Sequence, residues 1–147
     1  MLLGMFTIVF GFAVLVIGIR NFFAFLEGEW FTMTFLGHYV YKKINITKKN
    51  SMGKEVTEKA IAQLWLPSFY LVHRGVQKKC RTHSLKVLRI TSKDGLTEYD
   101  EGWTKSFGPW CSYKKGQWVY PDKFELRYGT CKGGIHFFFD KQDAIYY

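Results

Sequence analysis

The sequence predicts an α+β chain: one N-terminal transmembrane helix followed by a small, mainly β domain with one or two short helices. Three observations predict it. An uncharged apolar run extends from Leu2 to Ile19, a helical apolar period occupies residues 52 to 66, and short strand-like runs follow from residue 69. The chain's 147 residues suit one compact unit plus an anchor. The organisation expected is an anchor over 1–20, an aromatic juxtamembrane segment over 21–50 and an α+β domain over 51–147.

Leu2–Ile19 reads LLGMFTIVFGFAVLVIGI, with Thr7 as its single polar side chain. At about 1.5 Å per residue this is about 27 Å of helix, close to a hydrocarbon core of about 30 Å. A cleaved signal peptide fits less well, because no basic residue precedes the run and Arg20-Asn21-Phe22-Phe23 lacks the small residues of a cleavage site. Arg20, Lys42, Lys43, Lys48 and Lys49 all follow the run, so the positive-inside rule puts the C-terminal body on the cytosolic side. Gly4, Gly11 and Gly18 share one helix face and would allow close helix packing, although the frequency of glycine in membrane helices is the simpler explanation. From Phe22 to Tyr41 the chain stays aromatic but carries Glu27 and Glu29, which argues against a second span. Arg20, Trp30, Tyr39, Tyr41, Lys42 and Lys43 are therefore expected at the membrane interface.

In the body, Ser51 is placed to cap a helix from Met52. Val56, Ala60, Ile61, Leu64 and Trp65 then fall on one side, and Pro67 ends the helix. Residues 69–73 and 85–90 read as strands, Lys93-Asp94-Gly95 as a turn, and 103–107, 118–120 and 124–128 as weaker strands. Gly133-Gly134 forms a turn before an apolar strand at 135–139, and Asp140 caps a closing helix over 141–147.

All 21 Lys+Arg and 12 Asp+Glu lie from Arg20 onward, so the net charge of +9 belongs to the body. With 19% aromatic residues, such a body favours acidic partners. Cys80, Cys111 and Cys131 are odd in number and widely spaced, which points to reduced thiols rather than a disulfide framework. Cys80, His83, Cys131 and His136 offer a zinc ligand set in residue type, but the second spacing is loose and the halves lie far apart. Cys131 and His136 would also serve as thiol and base in a small Cys/His enzyme, with no third group to name. No phosphate-binding glycine loop, nucleophile elbow or paired-carboxylate motif is present. The expectation is a non-enzyme without metal or cofactor.

The C-terminal half carries a more specific pattern: Lys79-Cys80-Arg81, Lys86-Val87-Leu88-x-Ile90, Tyr113-x-x-Gly116-x-x-Val119-x-Pro121, then Cys131-x-x-Gly134-Ile135-His136-Phe137-Phe138 and Ala144-x-x-Tyr147. It resembles an uncharacterised module of large nucleocytoplasmic DNA virus proteins, often found beside pentapeptide repeats. The likeness covers residues 69 to 147 and carries over no catalytic residues. This chain lacks the repeats and has an apolar N-terminus instead. The resemblance implies a viral origin and a compact, largely β domain. Such viruses hold a lipid membrane beneath their protein shell, so the expected function is a membrane-anchored minor capsid protein linking the internal membrane to the shell. Its expected location is the virion's internal membrane, as a single-pass protein with the body facing the capsid. The bilayer, capsid or other minor virion proteins and anionic lipid are the expected partners; nucleic acid is not. A membrane-tethered module binding nucleic acid or anionic lipid is the second reading.

Overall fold

The computed structural model describes residues 29–105, 111–121, 124 and 133–147. The described residues contain eleven strands, a single 3-10 turn (Val76–Lys78) and one short α-helix, so the domain is mainly β. A four-stranded antiparallel sheet is formed by β1 (Trp30–Met33), β4 (Leu71–Arg74), β5 (Cys80–Thr82) and β11 (Ile135–Phe137), in that order. A seven-stranded sheet follows the path β10 (Trp118–Val119), β6 (Leu85–Ser92), β3 (Glu55–Leu66), β2 (His38–Lys49), β8 (Glu101–Thr104), β9 (Cys111–Lys114), with β7 (Glu98–Tyr99) also on β6.

The larger sheet cannot be flat. Its two outermost strands on that path, β9 and β10, are consecutive in the chain and joined by Lys115–Gln117. Such a link spans about 14 Å at full extension, whereas five strand-to-strand steps of about 4.8 Å would need about 24 Å. The sheet therefore curls. Its joining turn docks on β6, with Gly116 N donating to Val87 O and Val87 N to Gln117 O, both at 2.8 Å. Into the curl point Val40, Ile44, Ile46, Ala60, Ala62, Leu64, Leu66, Leu85, Val87, Ile90, Tyr113 and Val119, continuous with Val72, Cys80, Ile135 and Phe137 of the smaller sheet.

The helix expected over 52–66 is strand β3, paired residue for residue with β2 from His38↔Leu66 to Lys49↔Glu55. The apolar positions that satisfy a helical period also contain an alternation: Ala60, Ala62, Leu64 and Leu66 face the core. Ile61 points the other way and is covered by Phe138 and Ala144. Burial on both faces erases the polar alternation that normally marks a strand. Ser51 caps no helix; it sits in the hairpin turn, where Asn50 Oδ1 accepts from Met52 N (3.0 Å) and Lys54 N (2.9 Å). The expected boundary between residues 50 and 51 falls at the tip of this hairpin, and residues 38–49 form strand β2 in the middle of the larger sheet.

The expected class, a spanning helix followed by an α+β body, is corrected to a mainly β domain. Among the described residues no helix is long and apolar enough to cross a membrane, so neither the transmembrane fold class nor the single-pass localisation is supported. The predicted anchor, with Gly4, Gly11, Gly18 and Arg20, lies outside the described residues.

Other expectations agree closely with the structure. Residues 85–90 lie in β6, Gly95 turns at φ 79°, and residues 135–137 form β11. Asp140 caps α1 (Lys141–Tyr146) by accepting from Gln142 N at 2.8 Å. Phe69, expected to start a strand, sits in a turn before β4.

Candidate docking groove

Two short turns at one end of the domain are tied together by Thr34. Its side chain is buried, its amide donates to Tyr70 O (2.9 Å), and its hydroxyl donates to Pro67 O (2.7 Å) while accepting from Tyr70 N (2.9 Å). Phe69 N donates in turn to Thr34 O at 2.6 Å. Phe69 is thereby held at φ 60°, a left-handed conformation that costs a side-chain-bearing residue about 1 kcal/mol or more. The neighbouring Gly37 is required by packing, because a Cβ there would lie 2.1 Å from Trp65 Cζ2.

The clamp presents apolar side chains to water. Phe35, Leu36 and Phe69 are 77%, 74% and 69% exposed, and Met33 beside them is half-exposed. Each such side chain would gain about 1.5–3 kcal/mol if fully buried.

Between the Thr34 turn and the sheet runs an open groove of about 270 Å³, lined among others by Met33, Phe35, Leu36, His38, Arg74 and Phe139. The Arg74 guanidinium lies 4.4 Å above the centre of the Phe139 ring, which meets His38 edge-on at 5.6 Å. No carboxylate among the described residues forms an ion pair with Arg74. A stacked guanidinium with free donors is suited to a carboxylate. β1 forms one wall of the groove and is the edge of its sheet, with no partner among the described residues on its outer side.

β1 is held in place by a buried polar group behind it. Phe31 packs on the His73 ring at 4.9 Å, and His73 Nε2 lies 3.5 Å from Glu29 Oε1. Burial pushes the imidazole down to about 4, reinforced by the charge of Arg81, so His73 is neutral at pH 7 and this contact is not an ion pair. Arg81 is itself fully buried, opposite both His73 and His136 in the sheet register, with its guanidinium 5.1 Å from the Phe124 ring centre.

The residues singled out in the sequence are dispersed. Trp30 and Tyr39 are exposed on β1 and β2, and Tyr41 is half-buried against Ile61, Phe138 and Ala144. Lys42 occupies an inward position between Val40 and Ile44 and donates to His136 O at 2.8 Å. Burial, helped by the Lys79 charge, pushes its ammonium down to about 8. Lys43 points to the opposite, outer face.

Of the zinc set, Cys80 is buried with its thiol pushed up to about 11 by burial. His83 is exposed, stacks on Tyr70 at 4.3 Å, and shares a hydrogen bond with Ser84 through Nδ1. His136 is half-buried on β11, and Cys131 lies outside the described residues. Among the described residues no three His, Cys, Asp or Glu side chains gather to hold a metal. Sequence reasoning missed Thr34, Arg74 and Phe139, whose partners are 36, 65 and 65 positions away, beyond any local pattern.

Fold and groove together define a small, mainly β domain with one open, apolar-rimmed groove beside β1. A family model described as "Family of unknown function (DUF5758)" matches residues 27–144, and the chain belongs to that family. No curated protein and no solved structure matches it.

Proposed function

We propose that the domain is a structural docking module of a large DNA virus particle, binding a capsid or other minor virion protein through the Arg74 groove. The observation that carries this reading is the Thr34 clamp, which holds Phe35, Leu36 and Phe69 in water beside an arginine that has no ion-pair partner among the described residues. The occupant that fits is an extended acidic segment. An apolar side chain enters the groove, a carboxylate meets Arg74, and the backbone pairs with the edge of β1. The net charge of +9 favours an acidic partner by attraction at longer range. The viral setting comes from the sequence resemblance, and the contact chemistry from the groove.

Particle composition provides the test. Quantitative mass spectrometry on purified particles of the encoding virus should find the chain in a constant ratio to the major shell protein. Arg74→Glu should lower its incorporation at least tenfold while its thermal melt stays within a few degrees of wild type. Absence from purified particles, or normal incorporation of Arg74→Glu, would reject the reading.

A further inference from the structure

We infer that the outer face of the seven-stranded sheet, around Lys43, Lys59, Lys93 and Trp103, binds the phosphodiester backbone of single-stranded nucleic acid. Register assembles this surface. Ile44, Ile46, Ala60, Ala62, Ile90 and Gly102 turn inward, so the residues alternating with them turn outward. Asn45 is opposite Lys59 on one side and Trp103 on the other. Ala60 is opposite Ser92, which brings Lys93 next to Lys59, and Lys43 follows one step along β2. The three lysines thus meet although they lie 16 and 34 residues apart in the chain.

The three lysines have no ion-pair partner among the described residues. Lys59 Nζ donates to the neutral Asn45 Oδ1 at 2.5 Å. The Lys43 ammonium is pushed below its usual range by burial and by the charges of Lys93 and Lys59. Nearby acids are engaged elsewhere: Glu58 with Lys48 at 2.9 Å, Glu98 with Arg89, and Asp94 with Ser92 Oγ and Leu96 N. Glu101, which lines the cavity next to Trp103, faces Lys114 across the register, and Glu55 faces Lys49; neither forms an ion pair among the described residues. Like charges on neighbouring strand positions destabilise a sheet, and a bound chain of phosphates removes that cost.

Trp103 supplies the second requirement. Its Nε1 donates to Thr47 Oγ1 at 3.1 Å, which fixes the half-buried ring beside the lysines and along a shallow cavity of about 290 Å³. Gly102 makes this possible, since a Cβ there would lie 2.4 Å from Ile44 Cδ1 and push β8 away from β2. A fixed indole next to a row of ammonium groups combines base stacking with phosphate attraction, the two components of single-strand binding. An anionic bilayer fits less well, because the most exposed phenylalanines among the described residues, Phe35 and Phe69, lie at the groove end and Trp103 is held by its own hydrogen bond.

Fluorescence anisotropy of the full chain with a labelled 20-nucleotide single strand tests the inference. Binding should weaken with salt at a log–log slope of about −2, the value for three neutralised phosphates on a single strand. The variant carrying Lys43→Gln, Lys59→Gln and Lys93→Gln should lose at least tenfold in affinity with no loss of thermal stability. Trp103→Leu should lose roughly tenfold through stacking, and Phe35→Ser should bind the strand as wild type does. Failure to bind at low salt would overturn the inference. So would unchanged affinity of the triple-lysine variant, or lysine-dependent binding to phosphatidylserine vesicles that the oligonucleotide does not compete away.

Discussion

Thr34 grips Tyr70 on both backbone faces, its amide donating to Tyr70 O and its hydroxyl accepting Tyr70 N, each at 2.9 Å. Through that pair the loop after β1 and the turn before β4 become one rigid rim of the groove. Thr34→Val keeps the shape but leaves Tyr70 N and Pro67 O without the hydroxyl. The expected loss is about 1–3 kcal/mol of unfolding free energy, measured by urea titration, with most of it restored by Thr34→Ser.

Phe69 sets stability against contact. Its φ of 60° is strained for an aromatic residue, and its ring is largely in water. Phe69→Gly should therefore be neutral to stabilising, by up to about 1 kcal/mol and a few degrees of melting temperature. The same variant should be incorporated into purified particles at a lower ratio to the major shell protein than wild type. A loss of stability would show that the ring packs against the domain instead.

His73 predicts the acid side of the stability profile. An unfolded imidazole titrates near 6.5, whereas His73 in the fold does so at about 4, so the unfolded chain binds more protons between these values. This contribution is complete above pH 6.5 and is lost as pH falls toward 4, by at most about 3 kcal/mol. Chemical denaturation at stepped pH should show the decline, and His73→Phe should flatten it.

Lys42 predicts a contrast between two substitutions. Its half-buried side chain turns inward and its ammonium donates to the carbonyl of His136. Lys42→Met replaces the charge with a side chain of similar length and should leave the melting temperature unchanged or higher. Lys42→Ala opens a void and should cost about 1–3 kcal/mol. Equal losses in both variants would mean that the Lys42–His136 hydrogen bond outweighs the buried charge.

The sequence by itself determined what short-range geometry controls. Gly95, Gly133 and Gly134 sit where positive φ is needed, Asp140 caps the closing helix through its own neighbour Gln142, and Leu85, Lys86 and Val87 alternate as strand residues do, up to the register shift that follows at Leu88. Each of these depends on residues within a few positions. The tertiary structure alone decided that residues 55–66 are a strand, because Ile61 is buried from outside by Phe138 and Ala144, which no local period encodes. It alone turned Lys42 inward and Lys43 outward, set Arg74 over Phe139, and brought Lys59 and Lys93 together. Antiparallel register couples positions tens of residues apart, so the groove and the lysine face exist only once the strands are paired.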